Sequence, residues 1–116
     1  MRLIIVLLIS LIASCVREPI VSSADAQKIV AAAEQVMRTH KVTASVSEQE
    51  WPEEILNLKP KGVRVSAEGL YVVTDSWFVE EAGLFIPRNE AAPRNNSGDP
   101  QFRQLHEKLF TYRIKG

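Results

Sequence analysis

The segment 75–81 (Asp-Ser-Trp-Phe-Val-Glu-Glu) contains the carboxylates of this chain with the most potential for chemistry. Two carboxylates about 5–9 Å apart are enough to hydrolyse a glycosidic bond in most glycosidases. Adjacent residues on a strand face opposite ways, so Glu80 and Glu81 cannot form such a pair with each other. Asp75 with either glutamate stays open as a pair. Surface carboxylates that flank a turn are far more common, and we expect that arrangement here.

A nucleophilic serine or a metal centre has less support. Ser76 would need a histidine close in space, and the chain has only two, His40 and His106. Triads are defined by geometry and not by order along the chain, but no serine stands in a Gly-x-Ser-x-Gly elbow. A zinc site needs three or four ligands at regular spacing, and neither histidine has such neighbours. We therefore predict no metal, no cofactor and no enzymatic activity.

The same segment carries two adjacent large aromatic residues, Trp77 and Phe78, between acidic neighbours. On a strand they would point to opposite faces. An exposed aromatic side chain rimmed by acids forms a recognition patch. The other arrangement, which we favour, buries one ring under a helix and the other under the polar segment 88–100. The candidate partner-binding residues are Asp75, Trp77, Phe78, Glu80 and Glu81.

The only cysteine, Cys15, directly follows a short apolar run. Met1-Arg2 supplies a positive charge, and residues 3–13 are apolar except for Ser10. A charge, an apolar run and then small residues are the order of a secretory signal peptide. A helix over that run would be only about 16 Å long, roughly half the apolar thickness of a bilayer. The pattern predicts a cleaved leader and not a membrane span.

The stretch Leu11-Ile12-Ala13-Ser14-Cys15 resembles the lipobox of bacterial lipoproteins, which has an aliphatic residue, small residues and then the modified cysteine. The resemblance implies that residues 1–14 are removed and that Cys15 carries fatty acyl chains in the lipid bilayer. At ~0.8 kcal/mol per buried methylene, two or three chains give an effectively permanent anchor. Because Val16 and not Asp follows the cysteine, the resemblance implies the outer membrane with the domain facing the periplasm. A cell-surface position is the alternative.

The overall charge gives no indication of a polyanionic partner. The chain has 14 basic and 14 acidic residues, and both signs are scattered without a basic stripe. We therefore predict no binding to nucleic acid. A single cysteine cannot form an internal disulfide, so the domain must be stabilised by burial alone.

The chain divides into the leader at residues 1–14, a lipidated tether at 15–22 and a single small domain at 23–116. Apolar residues three and four apart predict a helix from Ala24 to about His40, capped by Ser22 or Ser23. Pro52 is expected to begin a second, short helix, with Trp51 packed beside it.

After Gly62 the apolar period changes from that of a helix to two residues, which indicates strands. We predict a turn at 67–69 with a positive φ at Gly69, a second turn at 80–83, and one or two helical turns ending at Leu105. The predicted strands cover 63–66, 70–74 with an extension towards 79, 84–86, and 109–114. The fold class is α+β, with a long N-terminal helix packed on a small antiparallel sheet of about four strands.

These observations favour a binding module over an enzyme. We predict a membrane-anchored periplasmic lipoprotein that binds an envelope protein or a wall component, for example by inhibiting or neutralising an envelope-active enzyme or toxin. The alternative is a structural accessory subunit of an envelope complex that docks through a sheet edge or the long helix. A small wall or lipid hydrolase comes third. It requires two carboxylates in one pocket, or Ser76 bonded to a histidine.

Overall fold

One long helix packs on one face of a six-stranded antiparallel sheet. The computed structural model describes residues 16–41, 43–89, 93 and 99–115. The predicted leader and Cys15 lie outside the described residues, as does most of the polar segment 88–100. Within the described ranges, no helix is both long and apolar enough to cross a membrane. The elements in chain order are helix α1 (Ser23–Thr39), strand β1 (Ala44–Ser45), a 3-10 turn (Glu48–Glu50), helix α2 (Glu53–Leu56), and strands β2 (Gly62–Val65), β3 (Gly69–Trp77), β4 (Glu80–Pro87), β5 (Gln101–His106) and β6 (Leu109–Ile114).

The α+β class is confirmed, but the predicted strand number is too small. The sheet has six strands in the order β1-β2-β3-β4-β6-β5, and the long helix begins at Ser23 and not at the N-terminus of the chain. The additional strands are the two edges. β1 is only two residues long. β5 replaces the helical turns expected before Leu105, and Phe102 is its only buried side chain, so it lacks the alternation that identifies a strand in sequence.

Helix α1 forms as predicted. The Ser22 hydroxyl accepts a hydrogen bond from the Asp25 backbone N–H at 3.3 Å, which caps the first turn. The apolar stripe of the helix faces the sheet and forms the main core with the inward side chains of β2, β3 and β4 and with Leu109 of β6. Trp51 packs against this core, as expected, and its indole N–H donates to the Val46 carbonyl oxygen at 2.9 Å.

The opposite face of the sheet carries a second, aromatic core. Its members are Tyr71, Phe85, Phe102, Phe110 and Tyr112. Gly83 lies between Val73 and Tyr112 in the strand register, and a Cβ there would collide with the Val72 carbonyl. Gly69 is likewise required by close approach, here to the Ile86 carbonyl and the Phe85 ring. The positive φ predicted at Gly69 is wrong.

Candidate functional site

The hairpin between β3 and β4 ends in an apolar turn. Trp77 and Glu80 form the last pair of the hairpin, and Phe78 and Val79 connect the strands. The turn expected at 80–83 is therefore misplaced, because those residues belong to β4. We call residues Trp77, Phe78 and Val79 the aromatic turn.

All three side chains of the aromatic turn are exposed. Trp77 is 54%, Phe78 89% and Val79 71% accessible, so the expectation that both aromatic rings are buried is wrong. The rings of Trp77 and Phe78 contact each other edge to face, with centroids 4.7 Å apart. Sequence reasoning missed Val79, whose exposure follows only from the position of the turn.

The backbone of the turn is unusual for its residue type. Phe78 has φ of 55°, a region that glycine adopts freely and that costs other residues roughly 1–2 kcal/mol. Two-residue hairpin turns normally place Gly, Asn or Asp where φ is positive. A large aromatic side chain is thus held in solvent at a position where its backbone is strained.

A β-bulge in β3 decides which way the acidic residues face. The register slips between Val73 and Asp75, so that Val73 lies opposite Gly83 and Asp75 opposite Ala82. Without the bulge, Asp75 would share the aromatic face with Val73. Instead Asp75 points to the face that carries helix α1, and Glu81 points to the aromatic face.

The carboxylate of Asp75 binds groups from two other segments. It accepts hydrogen bonds from the Arg17 backbone N–H at 2.8 Å and from the N–H of Ser76 at 2.9 Å, and it pairs with the Lys61 ammonium at 3.5 Å. These donors, with the Arg17 backbone N–H first, hold the pKa of Asp75 below its ordinary value. Asp75 is therefore ionised at neutral pH and unsuited to act as a general acid.

Glu81 is occupied on the other face. It pairs with the Arg64 guanidinium at 2.7 Å, and the Tyr112 hydroxyl donates to the same carboxylate at 2.7 Å. Burial, followed by the hydrogen bond to Glu81, raises the pKa of Tyr112. The Arg64 guanidinium also lies 4.5 Å from the centre of the Tyr71 ring. Glu81 therefore joins the rim of the aromatic core and is not free to bind a partner.

Residues directly after Cys15 contact the sheet on the helix side. Val16 is 3% exposed, and its carbonyl oxygen accepts a hydrogen bond from Arg113 at 2.8 Å. Glu18 pairs with the Arg103 guanidinium at 2.6 Å. Together with the contact from Arg17 to Asp75, these bonds fix the segment 16–18 across strands β3, β6 and β5.

Among the residues that the structure describes, none form a catalytic set around the aromatic turn. In the strand register, Ser76 lies opposite Glu81, and Glu81 lies opposite Ile114 of β6. His106 lies opposite Leu109, at the other end of β6. Leu109 and Ile114 are five residue steps apart along β6, which is about 17 Å. His40 lies at the far end as well, where its carbonyl accepts a hydrogen bond from Arg88 beyond the end of β4.

A catalytic carboxylate pair is not formed either. Glu80 shares a face with Asp75, but both oxygens of Asp75 are already bonded. The described part of the chain has no group of three or more His, Cys, Asp or Glu side chains that could hold a metal ion.

Comparison with known proteins does not assign a family: no family model matches the chain, and no significant match was found among curated proteins or solved structures.

Proposed function

We propose that this protein is a lipoprotein anchored through acylated Cys15, facing the periplasm from the outer membrane, and that its domain acts by binding a partner in the cell envelope. The order of charge, apolar run, small residues and cysteine in residues 1–15 supports the anchor. The burial of Val16 limits the distance between the domain and the proposed lipid. A lipid on the preceding residue would hold the domain directly against the bilayer, with no free linker between them.

The aromatic turn is the proposed contact element. The observation that carries this proposal is three consecutive large apolar side chains in solvent, one of them on a strained backbone. Contiguous exposed apolar surface of this kind marks interaction sites. The acidic candidates have a supporting role in this proposal, since Asp75 and Glu81 are bonded to other parts of the domain.

A structural subunit that docks through a sheet edge has less support. One edge strand, β1, has only two residues. The other, β5, has an irregularity between Gln104 and His106 and exposes polar side chains. Short, interrupted and charged edges are the usual protection against pairing with another chain.

The anchor is tested by Cys15→Ser in the native host. We expect the variant to lose the acyl mass and to leave the membrane fraction or remain as an uncleaved precursor, because the resemblance places the membrane-anchoring lipid on this thiol. Ser14→Ala is the matched control, since it keeps a small residue before the cysteine and should be processed normally. An unchanged mass and unchanged fractionation of Cys15→Ser would refute the anchor.

A further inference from the structure

The aromatic turn and the start of the described chain, which directly follows the proposed anchor, lie at the same end of the sheet. The backbone groups of Val16 and Arg17 bond to Arg113 and Asp75, and both partners lie opposite Ala82 in the strand register. Ala82 is only two residues from Glu80, where the turn ends. The fixed start of the described chain is therefore about 7 Å along the strand from the turn.

The attachment point of the lipid follows from chain geometry. Cys15 is two residue steps from Arg17, at most about 7 Å of backbone. Phe78 is three residue steps from Asp75, about 10 Å of strand. With the Asp75 side chain between them, Cys15 and Phe78 lie within about 25 Å of each other even when every link is fully extended. Because Val16 is buried, the domain cannot move away from the lipid on a flexible linker.

The chemistry of the turn suits the boundary between lipid and water. Tryptophan is enriched at that boundary, where its aromatic body contacts acyl chains and the indole N–H stays near water. Phenylalanine belongs to the apolar side chains that interfacial elements bury below the head groups. Two of the acidic side chains near the turn are paired, Asp75 with Lys61 and Glu81 with Arg64, whereas Glu80, opposite Trp77, keeps its negative charge. The turn therefore offers no basic cluster with which to select anionic head groups.

We infer that the aromatic turn inserts into the interfacial layer of the bilayer that carries acylated Cys15, giving the domain a second membrane contact and one fixed orientation. This inference rests on the proposed function, because the anchor brings the turn to the membrane. One acyl anchor point alone would let the domain rotate above the bilayer, and two contacts prevent that rotation. Docking depends on apolar burial and not on lipid charge.

The test uses the lipidated protein in vesicles whose phospholipids carry bromine on their acyl chains, which quenches tryptophan at the membrane. The chain has two tryptophans, and the other, Trp51, packs against the main core. We expect the wild-type protein to be quenched with a blue-shifted emission. Trp77→Phe, which leaves only Trp51, should be quenched little. Adding phosphatidylglycerol to phosphatidylcholine should not strengthen the quenching, because apolar burial and not attraction to anionic lipid drives docking.

Phe78→Gly provides a variant whose folding is not in question. Glycine adopts the positive φ of this position freely, so the variant should unfold at the same or a higher temperature than wild type. Removing the ring should nevertheless lower the ratio of docked to undocked protein by roughly tenfold, seen as loss of Trp77 quenching.

Vesicle flotation and the mass of Cys15 separate the two proposals. Protein that floats with vesicles while Trp77 remains unquenched overturns the inference and leaves the anchor standing. Absence of the acyl mass refutes the anchor and, with it, the inference. A photocrosslinker at Val79 that captures an envelope protein in intact cells, with Trp77 unquenched, would assign the turn to a protein partner instead.

Discussion

The side chain of Tyr112 shows how one buried hydroxyl organises the rim of the aromatic core. Tyr112 is fully buried, its ring meets that of Tyr71 edge to face at 4.9 Å, and its hydroxyl donates to Glu81. Glu81 in turn binds Arg64, which lies over Tyr71. The four side chains form a closed ring of contacts, so a change in the charge of one of them affects all four.

Alkaline pH should destabilise the fold through this ring. Burial raises the pKa of Tyr112 above its ordinary value of about 10. A group whose folded pKa is raised contributes stability that is fully present below about pH 10 and is lost as pH rises towards the folded pKa. We therefore expect Tyr112 to form phenolate only as the protein unfolds, which absorbance titration alongside circular dichroism will test.

The matched variant is Tyr112→Phe. At neutral pH we expect it to lose roughly 1.5–3 kcal/mol of unfolding free energy, because the bond to the Glu81 carboxylate is removed while the ring remains. Above about pH 10 its stability should fall less steeply than that of wild type. Complete ionisation of both tyrosines in the folded wild-type protein would contradict this account.

Individual residue roles were only partly predictable from the sequence. The segment 75–81 is prone to interaction by its residue types, but the exposure of Phe78 depends on a turn three residues earlier than the expected one at 80–83. The bonds of Asp75 involve Arg17, 58 residues away, and depend on the bulge that turns its side chain over. Alternation rules assume an uninterrupted strand, so they place this carboxylate on the wrong face.

At the scale of elements, the C-terminal end of helix α1 is stabilised by a side chain that follows strand β4. The Arg88 guanidinium donates to the Met37 carbonyl at 3.1 Å and the His40 carbonyl at 3.4 Å. It also donates to the Ser66 carbonyl at 3.0 Å in the turn before β3. The last carbonyls of a helix lack partners within the helix, and a cation there interacts favourably with the helix dipole. Arg88 thereby connects α1 to the sheet.

Arg88→Met should lower the free energy of unfolding by about 1–3 kcal/mol, because half-buried carbonyls lose a charged donor while the aliphatic stem is kept. Arg88→Lys should recover only part of this, since one ammonium cannot reproduce the spread of the guanidinium. Arg38→Met, at an exposed site in the last turn of the same helix, is the control and should cost under about 0.5 kcal/mol. Urea unfolding measures all three. Equal losses at the two positions would contradict the role of Arg88.

The elements that could be predicted from the sequence are those with one face buried and the opposite face exposed to water. Helix α1 has a regular apolar stripe, and its cap and both ends follow from the sequence. Strand β5 does not have such a pattern, because an edge strand with one buried residue, Phe102, resembles a polar loop. Its pairing with β6 is decided by contacts such as Phe102 with Tyr112, which no local pattern contains.

At the scale of the whole molecule, the contacts of the segment 16–18 show that this part of the predicted tether packs on the domain. The residue separations of its bonds are 58, 85 and 97, so the start of the domain is tied to the middle and the end of the chain. A free tether would let the domain reach partners at some distance from the membrane. With the proposed anchor at Cys15, a docked segment restricts the contacts of the domain to what lies at the bilayer surface.

Val16→Ala tests whether this segment belongs to the folded domain. Val16 is 3% exposed, and removing two buried methyl groups should lower the free energy of unfolding by about 1.5–2.5 kcal/mol. The melting temperature should then fall by at least about 6 °C. Ile20→Ala is the control: it removes a larger apolar side chain from the same predicted tether, but Ile20 is fully exposed, so its melting temperature should change by less than about 2 °C. Both are measured in the unlipidated domain, where the membrane cannot contribute. Equal and negligible effects would mean that residues 16–18 are a free linker in solution, and the fixed distance between the anchor and the aromatic turn would then be lost.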